Sequence, residues 1–420
     1  MIAAPEAQEE IERRIALFHR SRHARDLWPD IPVETFRAAE AEVARVVTAV
    51  LRGEGTVALR SELGARALGV AAFMNGMGPL LGYWCETGRV TAEPDAAWAL
   101  RTHLEHGRRR HARLRHELER VLVAMAASGI EVWVLKGMHT AYRYFPEPGT
   151  RSLSDIDLLV QPADWLGARD TLTRLGLVET RHPTQPRDSA WAEPRVQRVR
   201  SLEYVHADGP WSIDLHRSLD RLPFEGLETA LGAPDQSAGE VWEEYCRPVR
   251  VLAQPLLLAY LALHASSHFY SIMQVRLLEL VLVARRDFGT DAARWGAFGE
   301  LVAHTGSDRF VFPALDLAER FVPGTFPRDV LERIAAAAPR RLRRLVRAMT
   351  PASAQRLHPY PSTRERFVWL KSPAEALAAV WWLVWPRENE QPVAPRYALA
   401  AQWRRVRRTL GRMVLARVGR

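Results

Sequence analysis

The chain has 420 residues, 47% hydrophobic and 25% charged, a composition that fits an ordinary globular protein of two or three domains. Its net charge of +9 is uneven: residues 340–420 hold 18 Lys/Arg against 4 Asp/Glu, a local +14, which leaves −5 on the first 339. Two cysteines, Cys85 and Cys246, without CxxC spacing, exclude a disulfide framework or a zinc finger, and the strongest apolar runs, 255–263 and 376–386, fall short of the roughly 20 residues of a membrane span.

The N-terminal stretch MIAAPEAQEEIERRIALF is acidic and polar, without the apolar centre of a secretory signal, so a cytoplasmic location is expected. Residues 7–130 read as helical. Segments 34–52 and 96–129 repeat apolar residues at spacings of three and four, and in the second Leu114, Leu118, Val121, Leu122 and Met125 make one stripe that Gly129 closes.

The texture then changes. EVWVL (131–135) is a short β-rich run, followed by Gly137, a short helix over 138–145 and a loop over 146–150. SDIDLLV (154–160) reads as a strand. Residues 162–176 read as a helix with Pro in its first turn and Gly at its end, and LVETR as a short strand. After a polar, Pro-containing stretch (181–195), SLEYVHA (201–207) and WSIDLHRSL (211–219) flank the turn sequence DGP, which predicts a hairpin.

From 235 onward the pattern is helical, with 254–286 its longest piece. Prolines 351, 359, 361 and 373 break the chain, and an Arg-rich amphipathic helix is expected over 399–418. That basic tail can meet nucleic acid, anionic lipid or an acidic partner, or it is a solvated face. Only Lys136 and Lys371 are lysines, so a single arginine is not by itself read as a chosen phosphate ligand. The expected organisation is a helical region over 1–112, a compact mixed-sheet core over 113–225, a helical domain over 235–348 and a broken segment with the tail helix over 349–420. The fold class is α+β.

Two carboxylates interrupt the apolar run of 154–160. Side chains alternate across a strand, so Asp155 and Asp157 share one face while Ile156, Leu158 and Val160 pack on the other. Two carboxylates so close repel each other, and a divalent cation such as Mg²⁺ relieves the conflict. Asp214 on a later β-like segment converges with them if the two strands are adjacent. His216, two residues on, shares its face and either orients a ligand or acceptor or serves as a hydrogen-bonded structural residue. Gly137, at a strand-to-helix turn, allows close backbone approach to a phosphate.

VLKGMHTAYRYF, RSLSDIDLLV and SIDLHRSL together resemble the nucleotidyltransferase superfamily of DNA polymerase β, and more narrowly an uncharacterised bacterial nucleotidyltransferase family; the overlap covers about residues 110–285. The resemblance implies transfer of a nucleoside monophosphate from an NTP donor to a hydroxyl or phosphate acceptor on a small molecule, peptide or protein. It also implies two Mg²⁺ ions, with Mn²⁺ as substitute. Asp155 and Asp157 would hold one cation and Asp157 and Asp214 the other, with Asp214 or His216 taking the acceptor's proton. Lys136, Gly137, Arg151 and Ser154 would bind the nucleotide. Where the superfamily has a second Gly or a Ser after the turn glycine, this chain has Met138, and Lys136 would supply the phosphate contact instead. Family members occur in clusters for modified peptides and surface polysaccharides, which implies a tailoring step.

Two other readings stand beside this one: a nucleic-acid-directed transferase that uses the basic tail, and a partner-binding protein that kept the fold without turnover. His264 and His268, four apart on a helix, are assigned to packing or a substrate pocket in preference to a metal pair. Arg276 and Glu279 are expected to form an ion pair at the surface or between domains.

Overall fold

The computed structural model describes residues 5–21, 24–181, 188–194, 211–220, 227, 229–243, 245, 248–269, 271–354, 367–384, 387–388, 391–392 and 403. The strand expected over 201–207 with its DGP turn, Cys246, and the tail helix over 399–418 apart from Trp403 lie outside these residues. The described chain is α+β, with helical regions on either side in sequence of one mixed sheet.

The first helical region contains α1 (Pro5–Ser21), α2 (Val33–Leu51), α3 (Ala65–Met74), α4 (Gly78–Glu86) and α5 (Pro94–Ala127), with a minimal parallel pair of strands, β1 (Val57–Ala58) and β2 (Val90–Thr91), between them. Pro94 opens α5, where its missing N–H costs nothing. The stripe from Leu114 to Met125 is buried as its spacing predicts.

β3 (Val132–Val134) follows, then α6 (Met138–Tyr144), β4 (Asp155–Val160), α7 (Trp165–Arg174), β5 (Val178–Arg181), β6 (Asp188–Ala192), β7 (Ser212–His216), β8 (Gly239–Trp242) and β9 (Val249–Leu252). The seven strands β3 to β9 form one sheet in the order β5-β6-β7-β4-β3-β9-β8. β4 runs parallel to β7 and antiparallel to β3, while β6 and β7 are antiparallel. β6 falls in the stretch 181–195, where the sequence suggested only a polar connection. β8 and β9 correct the purely helical reading of residues from 235, and they extend the sheet to Leu252, past the 113–225 segment.

One face of the sheet carries Val134, Ile156, Leu158, Val160, Ile213 and Leu215, which pack with the α5 stripe and with Ala168 and Leu172 of α7. The other carries Trp133, Leu135, Leu159 and Leu252, which join a larger core. That core includes α2 to α4 and the second helical region: α8 (Leu256–Ser267), α9 (Gln274–Val283), α10 (Ala292–His304), α11 (Asp308–Phe321), α12 (Arg328–Ala337) and α13 (Arg340–Arg347). Further on lies α14 (Pro373–Val384). The single helix suggested over 254–286 is two helices. Between them Ser271 N–H donates to His268 C=O at 2.7 Å, closing a turn, and Ile272 N–H donates to Ala354 C=O at 3.1 Å, a tertiary partner in place of a helical one. No helix among the described residues is long and apolar enough to cross a membrane.

Candidate active site

β4 and β7 lie side by side in a register that sets Asp157 opposite Asp214, with Asp155 opposite Ser212 and Leu159 opposite His216. Alternation puts Asp155, Asp157 and Leu159 on one face. Since Leu159 packs into the large helical core, that face is the one that meets the helices. The carboxylates therefore sit where the sheet joins the helical layer, at the β7 side of β4.

Asp157 is 3% exposed, and each of its oxygens is engaged. Lys136 Nζ, from the residue before the turn, donates to Oδ2, and His216 Nε2 lies 3.3 Å from Oδ1. Burial opposes charge on this carboxyl. The Lys136 ammonium and His216 outweigh it and hold Asp157 well below the usual carboxylate range. The group is thus an anion in a largely dry place, ready to ligate without first releasing a proton.

Asp157, Asp214 and His216 each present a ligand atom within 4.8 Å of the others. Asp157 and His216 are buried and Asp214 is half-buried, so Asp214 is the most exposed of the three. Two carboxylates and an imidazole fit a divalent cation. The nitrogen makes Mn²⁺ as natural an occupant as Mg²⁺, which favours oxygen alone. Asp155 is not a member of this trio. It is half-buried at the start of β4, where its Oδ1 accepts a hydrogen bond from exposed Ser154 Oγ at 3.1 Å. His216, two residues beyond Asp214 on β7, is the third member of the trio. Asp188, opposite His216 in the β6–β7 register, brings another carboxyl to the same strand row and was hidden in the unassigned 181–195 stretch.

Gly137 closes β3's exit with φ +63°, a conformation that favours glycine. A Cβ there would lie 3.3 Å from Leu153 Cδ2 and 3.7 Å from Arg151 Nη1, so the turn is tight. Met138, the residue after the turn glycine, packs into the sheet core and offers no polar group. Lys136 is 4% exposed and bound to Asp157, so the point charge expected at a phosphate is aimed at the carboxylate.

Arg151 is buried and makes a forked pair with Glu279 of α9, Nε to Oε1 at 2.7 Å and Nη2 to Oε2 at 3.0 Å. Thr140 Oγ1 of α6 also donates to Glu279 Oε1. This corrects the pairing of Arg276 with Glu279: the Glu279 carboxylate is buried and taken by Arg151 and Thr140. The helical spacing of Arg276 and Glu279 was visible, but the competing partner lies 128 residues away.

The rings of His264 and His268 meet edge to face at 4.9 Å, and His264 stacks on Tyr260 at 6.5 Å.

A family model described as an uncharacterised nucleotidyltransferase matches residues 63–323, well over half of the chain. The matched span runs from before α3 to the end of α11 and contains every residue of the site. Neither a curated protein nor a solved structure matches the chain.

Proposed function

The chain belongs to this uncharacterised nucleotidyltransferase family, and from that premise we propose that it moves a nucleoside monophosphate from an NTP to a hydroxyl or phosphate acceptor with the help of a divalent cation held by Asp157, Asp214 and His216. The observation that carries the reading is the pairing of Asp157 with Asp214 across parallel β4 and β7, completed by His216. A cation bound there would neutralise phosphate charge and acidify an acceptor hydroxyl.

In the transfer, the acceptor oxygen forms a bond to the α-phosphorus, the bond from that phosphorus to the β-phosphate oxygen breaks, and pyrophosphate leaves. The acceptor's proton passes to Asp214, whose half-buried carboxylate is the one most open to an incoming group. Asp155 and Ser154, at the outer end of β4, line the approach. Lys136 keeps Asp157 ionised and oriented. Arg151, tied to Glu279, fixes the loop before β4 against α9 and so positions the carboxylates. Mg²⁺ and Mn²⁺ are both candidates, and the acceptor is a small molecule, a peptide or a protein.

The test is a thermal-shift panel of ATP, GTP, CTP and UTP, each with and without Mg²⁺ or Mn²⁺, run on the wild type and on Asp214→Asn. Stabilisation by one or more triphosphates that requires the cation, and that Asp214→Asn removes, is expected. A wild type indifferent to every triphosphate with both cations would overturn the proposal.

A further inference from the structure

Among the described residues, three cations near the carboxylates are already engaged. Lys136 donates to Asp157, Arg151 is forked onto Glu279, and Arg110 donates to the carbonyls of Leu153 and Ser154. Arg276 differs. It lies on α9 one turn before Glu279, so it shares that helix face. The residue keeps some surface exposure, but its Nη1 is shut off from solvent and has no hydrogen-bond partner.

The charged groups near enough to act on Arg276 are Asp155, Arg151, Glu279 and Asp157, so the guanidinium shares the electrostatic environment of the β4 carboxylates. Burial pushes it down to about 10, Asp155 pulls it up, and it stays protonated at neutral pH. Asp155 attracts it without satisfying Nη1. An enclosed, unpaired donor on a cation is costly, and a second arginine close by adds repulsion. Such an arrangement is relieved by an anion with several oxygens, which a planar guanidinium grips in a fork.

We infer that Arg276 is a binding residue for the polyphosphate of the donor NTP, gripping the part that leaves as pyrophosphate. This rests on the nucleotidyltransferase reading above. It assigns to the second helical region a direct contact with the substrate. It also replaces the phosphate contacts that the sequence had suggested for Lys136 and Arg151, both of which are held by carboxylates. A nucleoside monophosphate lacks the leaving part and would not use this contact.

The experiment measures binding to the full chain by calorimetry, with Mn²⁺ present, for wild type, Arg276→Met and Arg276→Lys. The probes are the four NTPs, the matching monophosphates and inorganic pyrophosphate. Arg276→Met is expected to weaken the preferred NTP and pyrophosphate about 10- to 100-fold and to leave the monophosphate within about twofold. A mere structural role would weaken all three alike. Arg276→Lys keeps the buried charge if the Met variant does not fold. It is expected to lose about three- to tenfold on the preferred NTP and on pyrophosphate but not on the monophosphate, because a point charge replaces a fork. In a further variant, Arg276→Ala, guanidinium chloride at low millimolar concentration should restore NTP affinity where sodium chloride does not. NTP and pyrophosphate affinities equal to wild type in the Lys variant, or equal losses for NTP and monophosphate in a folded variant, would overturn the inference and leave the activity standing. A wild type that binds no NTP would remove the activity itself.

Discussion

Arg151 and Glu279 are 128 residues apart in sequence and meet as a forked ion pair with both side chains buried. The pair joins the loop before β4 to α9, and Thr140 of α6 completes it. Burial disfavours the charge on Arg151, yet Glu279 keeps the guanidinium firmly protonated. Removing one partner strands the other. Glu279→Leu and Arg151→Met should each cost about 3–5 kcal/mol, whereas the double variant should recover most of that, because a buried pair replaced by apolar groups of like volume is often neutral. Urea unfolding of the four proteins checks this; simple addition of the two losses would contradict it.

Lys136 and a divalent cation act on the same carboxylate. Lys136→Met leaves Asp157 as a buried charge without its main counter-ion, so unfolding free energy should drop by about 3–5 kcal/mol in the absence of metal. Added Mn²⁺ should then raise the melting temperature of the variant more than that of the wild type. Equal shifts in the two proteins would mean that the cation binds away from Asp157.

His216 contributes the one nitrogen of the trio. Replacing it with Asn exchanges imidazole for an oxygen-bearing amide, which should weaken Mn²⁺ more than Mg²⁺. Titration of both ions into His216→Asn and wild type, followed by calorimetry, gives the ratio. A ratio unchanged from wild type would make His216 a partner of Asp157 alone and not a ligand.

Glu40 of α2 lies fully buried in the helical core, with Asn75 Nδ2 donating to its Oε1 at 2.9 Å and Arg37 beside it. Burial pushes its carboxyl up to about 7. The folded protein therefore binds this proton more tightly than the unfolded chain, whose glutamate titrates near 4.3. The stabilisation is full below that value and is lost as pH rises through about 7. Between pH ~5 and ~8 the loss should be about 2–3 kcal/mol at ~1.4 kcal/mol per pH unit. Glu40→Gln cannot ionise and should flatten that slope in urea midpoints measured across the range; a slope equal to wild type would remove Glu40 as its source.

Much of the candidate site was legible in single segments. The period of two put Asp155 with Asp157, and Asp214 with His216, before any fold was known, because a strand's alternation is local. The glycine turn after β3 was legible for the same reason: φ +63° suits Gly137. β6 was not legible. DSAWA is too short and mixed to show a period, and it becomes a strand by pairing with β5 and β7.

The sequence by itself determined the α+β class, the α5 stripe, the two acid-bearing strands and the face on which each acid lies, since these depend on neighbours a few residues apart. The tertiary structure alone decided that β4 and β7 are adjacent and parallel, that Asp157 stands opposite Asp214, and that His216 completes the trio while Asp155 stands outside it. It also gave Glu279 to Arg151 and left Arg276 with an open donor. Electrostatic partners are chosen by distance through space and by which groups share a dry environment, and neither quantity is written in the spacing of residues along a chain.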